Sequence, residues 1–162
     1  MLTQDRIITE MHKLEKILGY EFKKIDWLAE AMKSEKIDSN NYSNERLAFL
    51  GDTLIKFLIA EKLYKSKNQV KGDMTKAKAA LENNDTFHKV AEEDILKYAY
   101  NDDGFAMDKT PPHKAVRTTH DPYIEAIAAA IYLDRGWRGV RKWFNHWLYP
   151  RLEKHKKVEK SQ

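Results

Sequence analysis

The sequence predicts an all-α protein built as one domain. Apolar residues recur every three or four positions along most of the chain, which is the period of an amphipathic helix. The chain has only six glycines and four prolines, fewer than a β-sandwich with its many turns would need. Its 162 residues match the usual size of one domain, and no repeat or linker divides them. We expect a helical domain over 1–150, followed by a basic C-terminal tail over 151–162.

Two helices are predicted near the N-terminus. Apolar residues recur at helical spacing over 7–18, and Gly19 is predicted to end this first helix. The second helix covers 27–32, with Asp26 as its N-cap. The polar stretch 36–42 that follows is predicted to be a loop.

A long helix is predicted next, with Ser43 or Asn44 as its N-cap and its end near Lys65. The apolar residues that nearly encircle it are Leu47, Phe49, Leu50, Leu54, Ile55, Phe57, Leu58, Ile59 and Leu63. A helix that is apolar on almost every side is typical of the centre of a protein. We therefore expect this helix to be buried.

Two further helices are predicted in the middle of the chain. Lys71 and Gly72 are predicted to form a turn, after which Asp73 caps a helix that reaches Leu81. A short helix over 87–91 follows.

The last third of the chain begins with an irregular stretch, 101–120. Asp121 is then predicted to be the N-cap and Pro122 the first residue of a helix, which is a strong start signal. Gly136 is predicted to end that helix, and a last amphipathic helix covers 140–148.

Composition excludes several classes of protein. Without cysteine, the chain has no disulfide scaffold and no cysteine-based metal site or nucleophile. It has no apolar run of about 18 residues, so no membrane span is predicted, and its first residues lack the apolar region of a signal peptide. No phosphate loop or dinucleotide motif is present, so no nucleotide cofactor is expected. We expect an intracellular protein, cytoplasmic or nuclear, with an organelle not excluded.

Basic residues are concentrated at the C-terminal end. The segment 136–160 holds eight bases and two acids, whereas the whole chain has a net charge of only +4. This distribution favours a salt-sensitive, sequence-independent nucleic-acid contact or, alternatively, a solvated helix end whose cations suit the helix dipole. The candidate binding residues are Arg151, Lys154, Lys156, Lys157 and Lys160.

Carboxylates interrupt the predicted central helix. Glu45 and Asp52 are about two turns apart and therefore share one face. Asp121 and Glu125, at i and i+4, share a face of a second helix. Four such carboxylates could bind a hard cation such as Mg²⁺, which suits attack on a phosphodiester. The alternatives are structural, because Glu45 and Glu125 fit ordinary first-turn acids and Asp121 fits an N-cap. Asp52 has the weakest explanation of that kind.

A nine-residue motif opens the predicted central helix. Residues 44–52 read Asn-Glu-Arg-Leu-Ala-Phe-Leu-Gly-Asp, which resembles the ribonuclease III family signature Asn-Glu-Arg-Leu-Glu-Phe-Leu-Gly-Asp. Residues 18–22, 71–75 and 125–134 are similar to three further segments of that family, in the same order. The resemblance covers about 14–148. It implies a ribonuclease III-type helical domain that dimerises to form a cleft for double-stranded RNA. A weaker likeness points to the small fungal members.

Three acidic positions of the family pattern are altered in this chain. The second glutamate of the signature is Ala48 here, and a turn glutamate is Lys71. The aspartate that precedes the second-helix glutamate by three residues is Pro122 here, with Asp121 one residue earlier. Lys56 adds a cation to the face that carries the signature acids, where it could replace a metal ion. The resemblance therefore implies a partly degraded acidic cluster.

The resemblance implies a Mg²⁺-dependent endoribonuclease that hydrolyses double-stranded RNA and leaves 5′-phosphate and 3′-hydroxyl ends. Glu45 would position phosphate or water, and Mn²⁺ is expected to serve better than Mg²⁺ where ligands are missing. The predicted catalytic residues are Glu45, Asp52 and Glu125, and the predicted metal ligands are Asp52, Asp121 and Glu125. The basic tail would bind RNA. A homodimer is expected, with an interface that includes Phe49, Leu50, Leu54 and Phe57.

Two other hypotheses stay open at this point. The chain could be a catalytically inert ribonuclease III-fold dimer that binds RNA or joins a ribosome-associated assembly. It could also be a structural dimerisation module without RNA, in keeping with its modest net charge. Only 12 residues follow Pro150, so the double-stranded-RNA-binding domain that full-length family enzymes usually carry does not fit in this sequence.

Overall fold

The structure, a computed structural model, describes residues 1–34, 44–66, 70–109 and 122–156, and it confirms the all-α fold. Its helices are α1 (Gln4–Leu18), α2 (Asp26–Met32), α3 (Glu45–Lys65), α4 (Lys71–Leu81), α5 (Asn84–Asp94), α6 (Tyr123–Trp143) and α7 (Tyr149–His155). A π-helical turn, Phe144–Leu148, joins α6 to α7. Two short 3₁₀ turns cover Leu96–Tyr98 and Ala106–Asp108.

Helices α3 and α6 form the centre of the fold and touch along their backbones. Every residue of α6 from 123 to 131 is buried. A Cβ atom built on Gly51 of α3 would lie 1.7 Å from the carbonyl oxygen of Glu125 in α6. Only glycine permits so close an approach, because any side chain would overlap a backbone atom of a packed helix. This contact sets the distance between α3 and α6, the helices that carry the motifs at 44–52 and 125–134.

The predicted burial of α3 is confirmed on one side of the helix. Leu58 and Ile59 are 2% and 0% exposed and belong to the core. Phe49 and Phe57, by contrast, are 82% and 48% exposed. The apolar residues that encircle α3 therefore form two surfaces, one that packs inside the domain and one that is aromatic and open.

Several helix ends differ in detail from the sequence prediction. Gly19 ends α1 as predicted. Asp26 and Asp73 lie in the first turns of α2 and α4, and the N-cap positions belong to Ile25 and Val70. Acids in a first turn complement the positive end of the helix dipole. Asp26 and Asp73 therefore stabilise the predicted helices through this charge interaction and not as N-caps.

The starts of α3 and α4 also correct the prediction. Lys71 and Gly72 are helical, since α4 begins at Lys71 and no turn precedes Asp73. Asn44 occupies the N-cap position of α3, but its side-chain amide donates a 3.1 Å hydrogen bond to the carbonyl oxygen of Ala31. This bond ties the start of α3 to α2. The alternative cap lies outside the described residues; it is Ser43.

Helix α6 is interrupted where the sequence predicted its end. Gly136 has φ 69° and ψ −163°, and the second part of α6 with the π-helical turn forms the predicted last helix. Pro122 is the N-cap of α6 and not its first residue, and Asp121 lies outside the described residues. Neither α6 nor any other helix in the described ranges is long and apolar enough to cross a membrane.

A small antiparallel hairpin lies in the stretch predicted to be irregular. Its strands are β1 (Tyr100–Asn101) and β2 (Gly104–Phe105). The hydroxyl of Tyr100 donates a 2.8 Å hydrogen bond to the carbonyl oxygen of Ala29. The hairpin is thereby attached to α2. Residues 110–120 of the predicted irregular stretch lie outside the described ranges.

Helix α7 continues across the predicted domain boundary at residue 150. Leu152 is fully buried, and the guanidinium of Arg151 lies 4.1 Å from the centre of the Trp147 ring. Arg151 also donates a 3.0 Å hydrogen bond to the carbonyl oxygen of Trp147. The start of the predicted tail is therefore packed against the helical domain, and the division into 1–150 and 151–162 stays a prediction.

Candidate functional site

A backbone contact between α3 and α6 places two of the predicted site residues on neighbouring stretches of the two helices. Gly51, which touches the backbone of Glu125, immediately precedes Asp52. One turn after Asp52, the ammonium group of Lys56 lies 3.0 Å from a carboxylate oxygen of Asp52. We call the group formed by Asp52, Lys56 and Glu125 the carboxylate site.

Lys56 is the electrostatic centre of the carboxylate site. Its pKa is raised above the ordinary lysine value, first by the hydrogen bond with Asp52 and then by the charge of the same residue. Burial lowers the pKa of Lys56, by less than Asp52 raises it and by more than either Glu82 or Glu125 raises it. The charges of Glu82 and Glu125 raise the pKa of Lys56 further. Lys56 therefore stays protonated and lies in the field of three carboxylates. The prediction that Lys56 joins the face of the signature acids is confirmed.

The carboxylate site is more open on the α3 side than on the α6 side. The side chains of Asp52 and Lys56 are 43% and 47% exposed. Glu125, in contrast, is only 5% exposed. Burying a carboxylate is costly unless charge or hydrogen bonding compensates, and the charge of Lys56 acts on Glu125 in this sense. A ligand arriving from solvent therefore reaches Asp52 and Lys56 more readily than Glu125.

Glu82 is a charged neighbour of the site that the sequence analysis missed. It is the residue after α4, and Lys78 of α4 lies 2.7 Å from one of its carboxylate oxygens. It reaches the field of Lys56 through the packing of α4 against α3. No motif or helical spacing singles out this position, because the link between Glu82 and Lys56 exists only in the folded chain.

The other signature positions of α3 have distinct environments. Glu45 is the first residue of α3 and is half-buried, two turns before Asp52. Ala48, which stands where the family signature has a glutamate, is 6% exposed. A carboxylate at position 48 would thus enter a buried position. Helix α3 supplies two signature acids, one at each end of the motif.

The carboxylates of the site are of the kind that binds a hard cation, but the described residues supply too few of them. Carboxylate oxygens such as those of Asp52 and Glu125 are the ligands that Mg²⁺ prefers. Within the described ranges, however, no three or more histidine, aspartate or glutamate side chains are grouped so that they could hold a metal ion. Lys56 also contacts the carboxylate of Asp52 directly. The described residues therefore supply part of a metal site, and the predicted ligand Asp121 lies outside them.

Two cations of the predicted RNA-binding tail have acidic partners within the chain. Lys154 forms an ion pair with Glu93 at 2.9 Å, and Lys156 forms one with Glu153 at 2.9 Å. The hydrogen bond from Lys154 is the main reason why the pKa of Glu93 is lowered. These pairs reduce the charge that the helix end offers to a polyanion. Outside the described residues lie the last two tail cations, Lys157 and Lys160.

The greater part of the chain matches a known family. Residues 29–152 match the model of the family described as Ribonuclease-III-like. The chain belongs to the ribonuclease III family. Members of this family generally depend on divalent metal ions, and their nuclease domains act on double-stranded RNA and form dimers. The resemblance read from 44–52 is confirmed, while the narrower likeness to small fungal members stays a prediction.

Bacterial ribonucleases are among the similar proteins. The chain is 33% identical over 147 residues to ribonuclease 3 of Buchnera aphidicola subsp. Baizongia pistaciae. The match covers 90% of this chain and 63% of that protein. The chain is also 34% identical over 151 residues to ribonuclease 3 of Vibrio cholerae. That match covers 88% of this chain and 62% of that protein. The chain thus spans less than two thirds of the length of these relatives.

The fold of this ribonuclease III family member is similar to that of a solved nuclease domain. The nuclease domain of ribonuclease III from Campylobacter jejuni has a TM-score of 0.69 and 28% identity, over 90% of this chain and 97% of that chain. In that protein, structural flexibility is described for a region involved in dimer formation. The likeness extends over nearly all of both chains, so the arrangement of α1 to α7 is that of a ribonuclease III nuclease domain.

Proposed function

We propose that this chain is the nuclease domain of an endoribonuclease, and that it hydrolyses phosphodiester bonds of double-stranded RNA at the carboxylate site. The observation that carries the proposal is the contact between Gly51 and Glu125. It joins α3, which carries the motif at 44–52, to α6, which carries the segment 125–134, near Asp52 and Glu125. Family membership and the likeness to a nuclease domain support the same reaction class.

The residues of the site divide the work in this proposal. Asp52, Glu125 and Asp121 would hold a divalent metal ion, Mg²⁺ or Mn²⁺. The chemistry that such an ion would supply at these residues is activation of water and stabilisation of charge on the phosphate. Glu45 orients the phosphate or the water. Lys56, whose ammonium group is positively charged, attracts the RNA phosphate and offsets the repulsion that the carboxylates exert on it.

Cleavage of long double-stranded RNA by the purified chain is expected to require divalent metal and to be faster with Mn²⁺ than with Mg²⁺. Mg²⁺ demands near-octahedral oxygen geometry, whereas Mn²⁺ binds the same ligands with higher affinity, so an incomplete ligand set favours Mn²⁺. The measurement is the initial rate of cleavage of labelled RNA in each metal and in chelator, with the product ends analysed for 5′-phosphate. Equal cleavage in chelator would rule out the metal-dependent reaction. Absence of cleavage with both metals would leave the inert RNA-binding or assembly-associated dimer as the explanation.

A homodimer belongs to the same proposal and is supported by an exposed apolar surface. Phe49, Phe57 and Trp137 are 82%, 48% and 40% exposed, and the rings of Phe57 and Trp137 meet edge to face with centroids 5.3 Å apart. We call these three residues the aromatic surface. Large contiguous apolar patches are uncommon on the surface of a monomer and mark contact sites. Leu54, which was expected at the interface, is 4% exposed and lies in the core, and Leu50 is half-buried.

Phe49→Glu is expected to convert a homodimer to a monomer. A buried aromatic residue at an interface typically contributes about 2 kcal/mol or more, so the dimer dissociation constant should rise at least about 30-fold. The measurement is sedimentation equilibrium or light scattering across a concentration series. The matched control is Val70→Glu, which places the same charge at a 70% exposed apolar residue outside the aromatic surface. A wild-type chain that is monomeric at micromolar concentration would contradict the homodimer.

A further inference from the structure

A basic groove lies between the end of α1 and the C-terminal part of α6. It encloses about 650 Å³ and is lined by the loop after α1, by the second part of α6 and by the π-helical turn. The carboxylate site lies at the other end of α6, since Glu125 and Arg135 are separated by about 15 Å of helix. We call this feature the α1–α6 groove.

Cations dominate the lining of the α1–α6 groove. Its charged residues are Lys23, Arg135, Arg138, Lys142 and one acid, Glu21, and His146 lies beside them. All of these side chains are exposed. Lys23, Arg138 and Lys142 form no ion pair with any carboxylate in the described part of the chain. Three positive charges thus face solvent in one concave surface, and none of them has an ion-pair partner in the described part of the chain.

The loop that forms one wall of the groove is fixed to α6. The carboxylate of Asp134, whose side chain is 1% exposed, accepts hydrogen bonds from the backbone N–H groups of Lys23 and Lys24 at 2.9 and 3.0 Å. It also accepts one from the hydroxyl of Tyr20 at 2.8 Å. The guanidinium of Arg135 donates to the carbonyl oxygen of Glu21 at 3.1 Å. The groove is therefore formed before any ligand binds, which lowers the entropic cost of binding.

The groove differs from the tail in how its charges are used. Lys154 and Lys156 of the tail are paired with carboxylates of the same chain. Arg141, also in the basic C-terminal segment, is engaged by both carboxylate oxygens of Glu61, at 2.9 and 3.0 Å. Of the described Lys and Arg residues in that segment, Arg138, Lys142 and Arg151 have no carboxylate partner, and Arg151 is held against the ring and the carbonyl oxygen of Trp147. A polyanion therefore finds more uncompensated charge in the groove than on α7.

We infer that the α1–α6 groove binds the phosphodiester backbone of double-stranded RNA, as a second contact separate from the carboxylate site. The inference rests on the proposed function for its choice of RNA as the polyanion. Arg138 and Lys142 are four residues apart on one helix face, so they can contact neighbouring phosphates of one strand. Such contacts are independent of sequence and depend strongly on salt. The groove holds RNA in place while the reaction occurs elsewhere on α6.

The test compares two neutralising double variants of the full chain. Arg138→Gln with Lys142→Gln removes two groove cations, and Lys154→Gln with Lys156→Gln removes two tail cations. Binding to labelled double-stranded RNA is measured in chelator at several salt concentrations, so that cleavage does not interfere. The slope of log affinity against log salt should become shallower by about 2 in the groove variant, about 1 for each lost phosphate contact. Affinity at low salt should fall at least about tenfold in the groove variant, and the loss in the tail variant should be clearly smaller, because its two cations are already paired with carboxylates of the same chain.

Each outcome decides the matter. An unchanged slope in the groove variant, with wild-type binding intact, overturns the groove and leaves RNA cleavage at the carboxylate site untouched. An equal loss in both variants also overturns it, because the effect would then be general charge and not a site. A wild-type chain that neither binds nor cleaves double-stranded RNA overturns the proposed function and the groove together. Circular dichroism melting of both variants confirms that these exposed substitutions leave the fold intact.

Discussion

Asp52→Asn and Glu125→Gln are each expected to lower the rate of RNA cleavage by about 10³-fold or more. Both substitutions keep the size of the side chain and remove its negative charge. Loss of an essential carboxylate ligand typically costs several kcal/mol of transition-state stabilisation, and about 1.4 kcal/mol corresponds to a factor of ten in rate. The measurement is the single-turnover cleavage rate with saturating enzyme in Mn²⁺.

RNA affinity in chelator and thermal stability serve as internal controls for these two variants. Glu30→Gln provides a matched control, since Glu30 is an exposed acid of α2, outside the carboxylate site. It should cleave at the wild-type rate. If Asp52→Asn cleaves as fast as wild type, the reaction takes place at a different site or comes from a contaminant, and the proposed roles are wrong.

Gly51→Ala is expected to be the most destabilising small substitution in the chain. The added methyl group would lie 1.7 Å from the carbonyl oxygen of Glu125, so α3 and α6 would have to move apart. The faces of α3 and α6 that meet here are buried, and overpacking of this kind costs about 3 kcal/mol or more. In a domain of this size the melting temperature should fall by about 10 °C or more. The measurement is thermal and urea unfolding followed by circular dichroism.

Gly72→Ala is the matched control for Gly51→Ala. Gly72 is also helical, but a Cβ atom built on it meets nothing within 4 Å. Alanine should therefore leave stability unchanged or raise it by up to about 1 kcal/mol, because it favours helix more than glycine does. A Gly51→Ala variant as stable as the Gly72→Ala variant would show that α3 and α6 do not approach as described.

The helical class and the family were readable from sequence because both depend on local information. Helical periodicity located each long helix of the described residues, α1, α3 and α6 among them, and the motif at 44–52 is contiguous. The same periodicity could not distinguish the two apolar sides of α3, since it reports that Phe49 and Leu58 are apolar and not which neighbour covers them. Only the folded chain shows that Leu58 lies in the core and that Phe49 faces solvent.

The candidate site was predicted in part, and its missed components depend on contacts between distant segments. Asp52 and Lys56 are one turn apart, so their pairing follows from helix geometry. Glu82 joins them only because α4 packs on α3. The pairing of Lys154 with Glu93 similarly connects residues 61 positions apart and removes charge from the predicted tail. No pattern of spacing within one helix contains this information.

The backbone of Gly136 has a consequence for which amino acids that position can accept. Its φ of 69° with ψ of −163° lies in a region that essentially only glycine adopts. A Cβ atom there would meet nothing within 4 Å, so open space around a residue is no guide to its tolerance of substitution. In a survey of all single substitutions, those at Gly136 would destabilise the protein as substitutions of core residues do, although no atom lies close to it. Gly136, which has no side chain, sets the direction of the second part of α6. The orientation of Arg138 and Lys142 therefore depends on it.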